Sequence, residues 1–169
     1  LALYGDLDIS VIDTLPPGRQ PIQTMQMPEG EAFEKVREQL KLGRQAYIVH
    51  PVIDESKLPE LKAVTAEYEE LAKAVFPEFR LAMLHGRMKA AEKAAVMDAF
   101  SKGRVNALVA TPVIEVGIDV KNATVMLVRN AERFGLASLH QLRGRVGRGA
   151  ERSYCILATD SKSQEALSR

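Results

Sequence analysis

Apolar positions recur at two different periods along this chain, and the switches between them predict its elements. From Glu29 to Leu42 the residues Phe33, Val36 and Leu40 repeat at helical spacing and Gly43 follows as a stop signal, which predicts a first helix. Gln45 to Val49 is instead a short apolar run closed by Pro51, the pattern of a strand packed on both faces. Leu61, Val64, Tyr68, Leu71 and Val75 then return to helical spacing, with Glu67, Glu69, Glu70 and Lys73 on the opposite, solvated face. The alternation continues with strands at Arg80 to Leu84, Ala107 to Ala110, Thr124 to Val128 and Ser153 to Ala158, and helices at Lys89 to Phe100 and Leu136 to Arg143. Strands separated by helical patterns predict right-handed crossovers and an α/β fold, a mainly parallel central sheet flanked by helices on both faces. Ligands of such sheets bind beyond the carboxyl ends of the strands, so the loops after Val49, Leu84, Ala110 and Val128 and the region around Arg145 are the places to look.

Residues 1–28 break the pattern. Pro16, Pro17, Gly18, Pro21 and Pro28 predict an extended connector there, ahead of a body spanning residues 29–160. The chain starts at Leu1 and stops at Arg169 inside a polar, helix-like run, 161–169, and both ends are expected to be cuts in something longer. Composition narrows the class: 169 residues with 46% apolar and 27% charged side chains suit one soluble domain. The single Cys155 excludes an internal disulfide framework and a cysteine-based zinc site, and points to a reducing cytoplasm. No apolar stretch approaches the roughly 18 to 20 residues that span a bilayer.

A net charge of +1 hides a local excess. Between 129 and 152 lie Arg129, Arg133, Arg143, Arg145, Arg148 and Arg152 against Glu132 and Glu151 alone. If Gln141 to Gly149 is helical, Gln141, Arg145 and Arg148 share one face while Arg143 points away. Guanidinium forks match phosphate oxygens bidentately, and Gly144 and Gly147 remove side chains that would hold a ligand off, so the group suits a polyphosphate. Thr111 and Asp119, in the stretch after the strand at 107–110, could grip a phosphate and a ribose hydroxyl, or simply cap neighbouring elements. His85, Gly86, Arg87, Met88 and Lys89 follow a strand and precede a helix, where amides and cations could meet a nucleic-acid backbone. His50, His85 and His140 form no ligand pair and no metal is assigned. With four tyrosines and five phenylalanines the chain has no interleaved stacking platform for single strands. Asp54-Glu55 imitates a magnesium-binding acidic pair, but no Gly-Lys phosphate loop accompanies it.

Gln141 to Gly149 resembles motif VI of superfamily 2 helicases, and Ala110 to Asp119 resembles their motif V. Their order and spacing resemble the second RecA-like domain of that superfamily. Together with Leu3-Tyr4-Gly5-Asp6-Leu7-Asp8, Leu15-Pro16-Pro17-Gly18-Arg19, Leu84-His85-Gly86-Arg87-Met88 and Asn130-Ala131-Glu132-Arg133-Phe134-Gly135-Leu136, they make nearly the whole chain similar to the RecG-type ATP-dependent DNA helicases. The translocase module of the transcription-repair coupling factor is the neighbouring family, and the Leu-Pro-Pro-Gly-Arg and His-Gly-Arg-Met segments favour the RecG type. Where both families have an acid before Asn130 this chain has Arg129, which leaves open an ion pair or a DNA contact at that position.

The resemblance implies a motor split between two domains, remodelling stalled replication forks and recombination junctions in a bacterial cytoplasm, associated with the nucleoid. ATP would lie between this domain and an absent first RecA-like domain that carries the magnesium ligands; a DNA-binding wedge domain would complete the parent chain. It implies Arg145 and Arg148 as arginine fingers and Gln141 near the γ-phosphate. Gly117 and Asp119 would lie at the nucleotide, and Thr111, His85, Gly86 and Arg87 against branched or duplex DNA. The isolated fragment is expected to hydrolyse no ATP. A non-catalytic α/β binding module, docking a partner through its basic segment, is the competing class.

Overall fold

A computed structural model describes residues 22–51, 60–111, 120–147, 149 and 151–159. Six strands form one sheet in the order β1-β6-β5-β2-β4-β3, every pairing parallel. In chain order they are β1 (Ile22–Pro28), β2 (Gln45–Val49), β3 (Leu81–Leu84), β4 (Ala107–Ala110), β5 (Ala123–Val128) and β6 (Ser153–Thr159). The helices are α1 (Glu29–Lys41), α2 (Glu60–Glu70), α3 (Ala90–Ser101) and α4 (Leu136–Arg143).

The central strands are continuous apolar runs because each feeds two cores. Ala46 and Ile48 of β2, Val125 and Leu127 of β5 and Ile156 of β6 pack under α1 and α2 with Val36, Leu40, Val64 and Leu71. Their alternates Tyr47, Val49, Met126, Val128 and Leu157 pack on the other face with Met97, Phe100, Leu139 and Leu142 of α3 and α4. A residue period of two therefore shows no polar partner, as expected of a parallel sheet covered on both sides.

Two features differ from the expected elements. Ile22–Pro28, assigned above to the connector, is a strand of the sheet, paired along its length with β6. As an edge strand it is only half-buried beyond Ile22, and Pro28 is tolerated as its last residue, so neither apolar density nor turn formers disclosed it. The second helix also changes pitch: Leu71–Val75 is one wide π turn, closed by the Phe76 N–H on the Leu71 carbonyl at 2.7 Å. Residues 1–21 and 161–169 lie outside the described residues.

Candidate functional site

At the carboxyl edge of the sheet, the loop after β3 is built around His85. Its ring is buried, and Nδ1 accepts the Arg87 backbone N–H at 3.2 Å, while its own backbone N–H meets the Met88 sulfur at 3.4 Å. The histidine thus holds the turn from inside, leaving Gly86 and Arg87 exposed. Next to it, the Thr111 N–H donates to the Leu84 carbonyl at 3.3 Å, tying the end of β4 to β3. The Thr111 side chain is buried, and its Oγ1 has no hydrogen-bond partner among the described residues. Of the four expected DNA contacts, the structure places Gly86 and Arg87 on the surface and the side chains of His85 and Thr111 beneath it.

Further along the same edge, Arg129 resolves the alternative left open by the sequence. Its side chain is only 9% exposed and pairs with Glu29 at 2.7 Å through Nη2, with Glu67 through Nη1, and with Glu70 at 3.5 Å. Its guanidinium also lies 5.2 Å from the centre of the Phe33 ring. Burial opposes the charge, but hydrogen bonds and Coulombic attraction from Glu29 and Glu67 outweigh it, and the group is held above its ordinary pKa. Arg129 is an ion-pair hub that fastens the loop after β5 to α1 and α2.

The arginine–glycine segment lies at the other edge. A parallel strand must start at the same end as its neighbours, so α4 runs back down the sheet between the end of β5 and the start of β6. Arg143 confirms where it ends: it is buried, and its Nη2 donates at 3.0 Å to the carbonyl of Ile22, the first residue of β1 and the partner of Ser153. The expectation that Arg145 belongs to the carboxyl-end loops is therefore corrected. So is the helical phase of Gln141, Arg145 and Arg148, because α4 stops at Arg143 with Gly144 as its cap and Gly147 takes a φ of 78°. The chain turns instead, closed by the Arg145 N–H on the Leu142 carbonyl at 3.0 Å. Gln141 is exposed and Arg145 half-buried.

That turn folds onto the segment leading into β5. A Cβ on Gly149 would stand 3.0 Å from the Lys121 carbonyl oxygen, so glycine permits the close approach of the two backbones. Arg148, Gly117 and Asp119 lie outside the described residues, although Lys121 is a near sequence neighbour of Asp119. Arg44, Asn122 and Glu151, which the motifs did not single out, join the same edge: Arg44 reaches Asn122 Oδ1 at 3.3 Å and Glu151 at 3.2 Å. Among the described residues no group of three or more His, Cys, Asp or Glu could hold a metal ion. No helix among them is long and apolar enough to cross a membrane.

Residues 31–150 match the family described as the helicase conserved C-terminal domain. The chain belongs to that family. This helicase C-terminal domain is 52% identical, over its whole length, to the ATP-dependent DNA helicase RecG of Synechocystis, of which it covers 21%. The RecG of Thermotoga maritima is likewise 52% identical across 100% of the chain and 22% of the relative. In three dimensions the helicase C-terminal domain is similar to a RecG bound to a three-way DNA junction, with a TM-score of 0.72 and 46% identity over 92% of this chain and 21% of that one. The chain thus spans about a fifth of the length of the relatives it matches. Its fold is that of a RecA-like helicase lobe.

Proposed function

We propose that this chain is the second RecA-like lobe of a RecG-type ATP-dependent DNA helicase, a double-stranded DNA translocase that remodels stalled forks and recombination junctions. The observation that carries this reading is identity to RecG, near one half, sustained over essentially the entire chain. The named structural relative is bound to branched DNA, which supports a branched or duplex DNA partner for the parent protein.

The two edges of the sheet divide the work. At the amino edge, Arg145 with Arg148 acts as an arginine finger, and Gln141 positions the γ-phosphate end of ATP, beside Gly117 and Asp119. A half-buried arginine just past the end of α4 and an exposed glutamine on its last turn fit a polyphosphate arriving from outside this lobe. In this reading the magnesium ligands belong to the first RecA-like lobe. At the carboxyl edge, Gly86 and Arg87 meet the DNA backbone, with His85 and Thr111 setting the loops that present them. The body of the lobe begins at β1. Closure on ATP and opening after hydrolysis would shift the carboxyl-edge contacts along DNA.

Arg145→Ala in the full-length helicase is expected to lower DNA-stimulated hydrolysis by about 10³-fold or more while nucleotide binding changes only a few-fold. Arg145→Lys should not restore it, because an ammonium lacks the planar fork. Wild-type turnover in Arg145→Ala would refute the assignment, and full activity in Arg145→Lys would favour a module acting through charge alone.

A further inference from the structure

The segment that enters β5 and the segment that leaves the arginine–glycine turn are held by a hydrogen-bond network outside the family motifs identified above. Its centre is Arg44, in the turn between α1 and β2, where Gly43 takes a φ of 87°. Through Nη1 Arg44 donates to Asn122 Oδ1 at 3.3 Å, and through Nη2 it pairs with Glu151 at 3.2 Å. Asn122 is in turn fixed from the other side, donating through Nδ2 to the Gly43 carbonyl at 2.8 Å and to Gln45 Oε1 at 3.2 Å. Gln45 anchors this group to the core side, donating to the Phe100 and Val105 carbonyls at 2.6 and 2.8 Å. One guanidinium therefore spans the segment that enters β5 and the one that leaves the arginine–glycine turn, at the place where Gly149 is packed on Lys121.

We infer that Arg44 is a positioning residue for ATP hydrolysis: by bridging Asn122 and Glu151 it sets where the Arg145 turn stands relative to the Lys121–Asn122 segment that enters β5. This rests on the function proposed above. Arg44 itself touches neither nucleotide nor the reacting atoms. Magnitudes separate this role from a merely structural one. The Arg44 side chain is 30% exposed and that of Glu151 57%, and exposed pairs of this kind contribute only about 0–1 kcal/mol to folding. A catalytic group displaced by about 1 Å, in contrast, can cost on the order of 10²-fold in rate. Loss of the bridge should therefore appear in turnover and hardly in stability.

The test compares Arg44→Ala, Glu151→Ala and the double variant in the full-length helicase, reading kcat and KM for ATP, the DNA concentration giving half-activation, and thermal unfolding. Each single variant is expected to lose about three- to fivefold in kcat, the most that a bridge worth about 1 kcal/mol can bias the turn, with half-activation by DNA and the unfolding temperature near wild type. The double variant should be no worse than the poorer single, since both remove one bridge. Glu151→Gln, which keeps an acceptor oxygen, should recover most of the loss. Wild-type kcat in Arg44→Ala, multiplicative losses in the double variant, or a kcat loss matched by lost folded protein overturns the inference. Arg145→Ala run in parallel separates the two claims. If it is inactive while Arg44→Ala is normal, only the positioning role fails; if it is fully active, the proposed function fails first.

Discussion

The two edges of this sheet treat the same side chain in opposite ways. At the carboxyl edge Arg129 is enclosed by Glu29, Glu67 and Glu70 and stacked near Phe33. At the amino edge Arg145 sits half out of a glycine turn, with Gln141 exposed one helical turn earlier. A guanidinium taken out of water costs several kcal/mol unless carboxylates surround it, and one with its donors already engaged by three acids has little left for a phosphate. Arginine content alone therefore says nothing about ligand binding. What matters is which donors are already engaged, and at the carboxyl edge Glu29, Glu67 and Glu70 of α1 and α2 engage those of Arg129. The contrast also limits the rule that α/β sheets bind at their carboxyl ends. In the proposed function that rule describes the DNA contacts, while the nucleotide is met from the opposite edge because another lobe forms the rest of its site.

The largest effect that tests this contrast is on stability. Arg129→Met removes the cation and leaves Glu67, 15% exposed, facing Glu29 and Glu70 without a counter-charge. Breaking a buried pair from one side costs about 3 kcal/mol or more, which for a domain of this size lowers the unfolding temperature by on the order of 10 °C. Thermal unfolding of the variant checks it, and ATP hydrolysis per folded molecule should stay near wild type. If hydrolysis disappears while the unfolding temperature is unchanged, Arg129 is a functional cation and the distinction between the edges breaks.

Most of the fold was readable because parallel strands buried on both faces are unbroken apolar runs, as in Gln45–Val49 and Ala107–Ala110. β1 was not, since an edge strand needs little apolar density and its prolines resemble those of a linker. The site was legible as residue types but not as places. Helical spacing was extended through Gly144, although the glycine ends α4 and the following turn reorients Arg145. The partners of Arg129 lie on α1 and α2, 100 and 62 residues away for Glu29 and Glu67, so only tertiary packing could decide between an ion pair and a DNA contact. Arg44, Asn122 and Glu151 were invisible for the same reason: their meeting depends on three turns converging at one edge, and each is an ordinary surface residue by type.

A smaller effect sharpens the carboxyl edge itself. Thr111→Val replaces a buried hydroxyl that has no partner among the described residues with a methyl of similar shape, so folding should lose nothing measurable. If the hydroxyl is held unpaired for the DNA-bound arrangement, the DNA concentration for half-activation should rise about three- to tenfold, as expected for a lost hydrogen bond of roughly 1 kcal/mol, while KM for ATP stays fixed. A change in KM for ATP without a change in DNA dependence would place Thr111 with the nucleotide and erase the division between the edges.

The smallest effect separates a phosphate contact from a structural one within a single loop. Arg87 is exposed, and its backbone N–H is engaged by His85. Arg87→Ala should therefore keep the turn intact, weaken DNA binding by a similar factor for all sequences, and reduce the slope of log affinity against log salt by about 1. His85→Ala removes the acceptor that shapes the turn without removing a charge; it should weaken binding with the slope nearly unchanged. Titrating both variants with a three-way junction across a range of salt concentrations distinguishes them. An unchanged slope in Arg87→Ala would mean that the exposed cation of this loop faces solvent rather than phosphate, and that DNA is held elsewhere on the carboxyl edge.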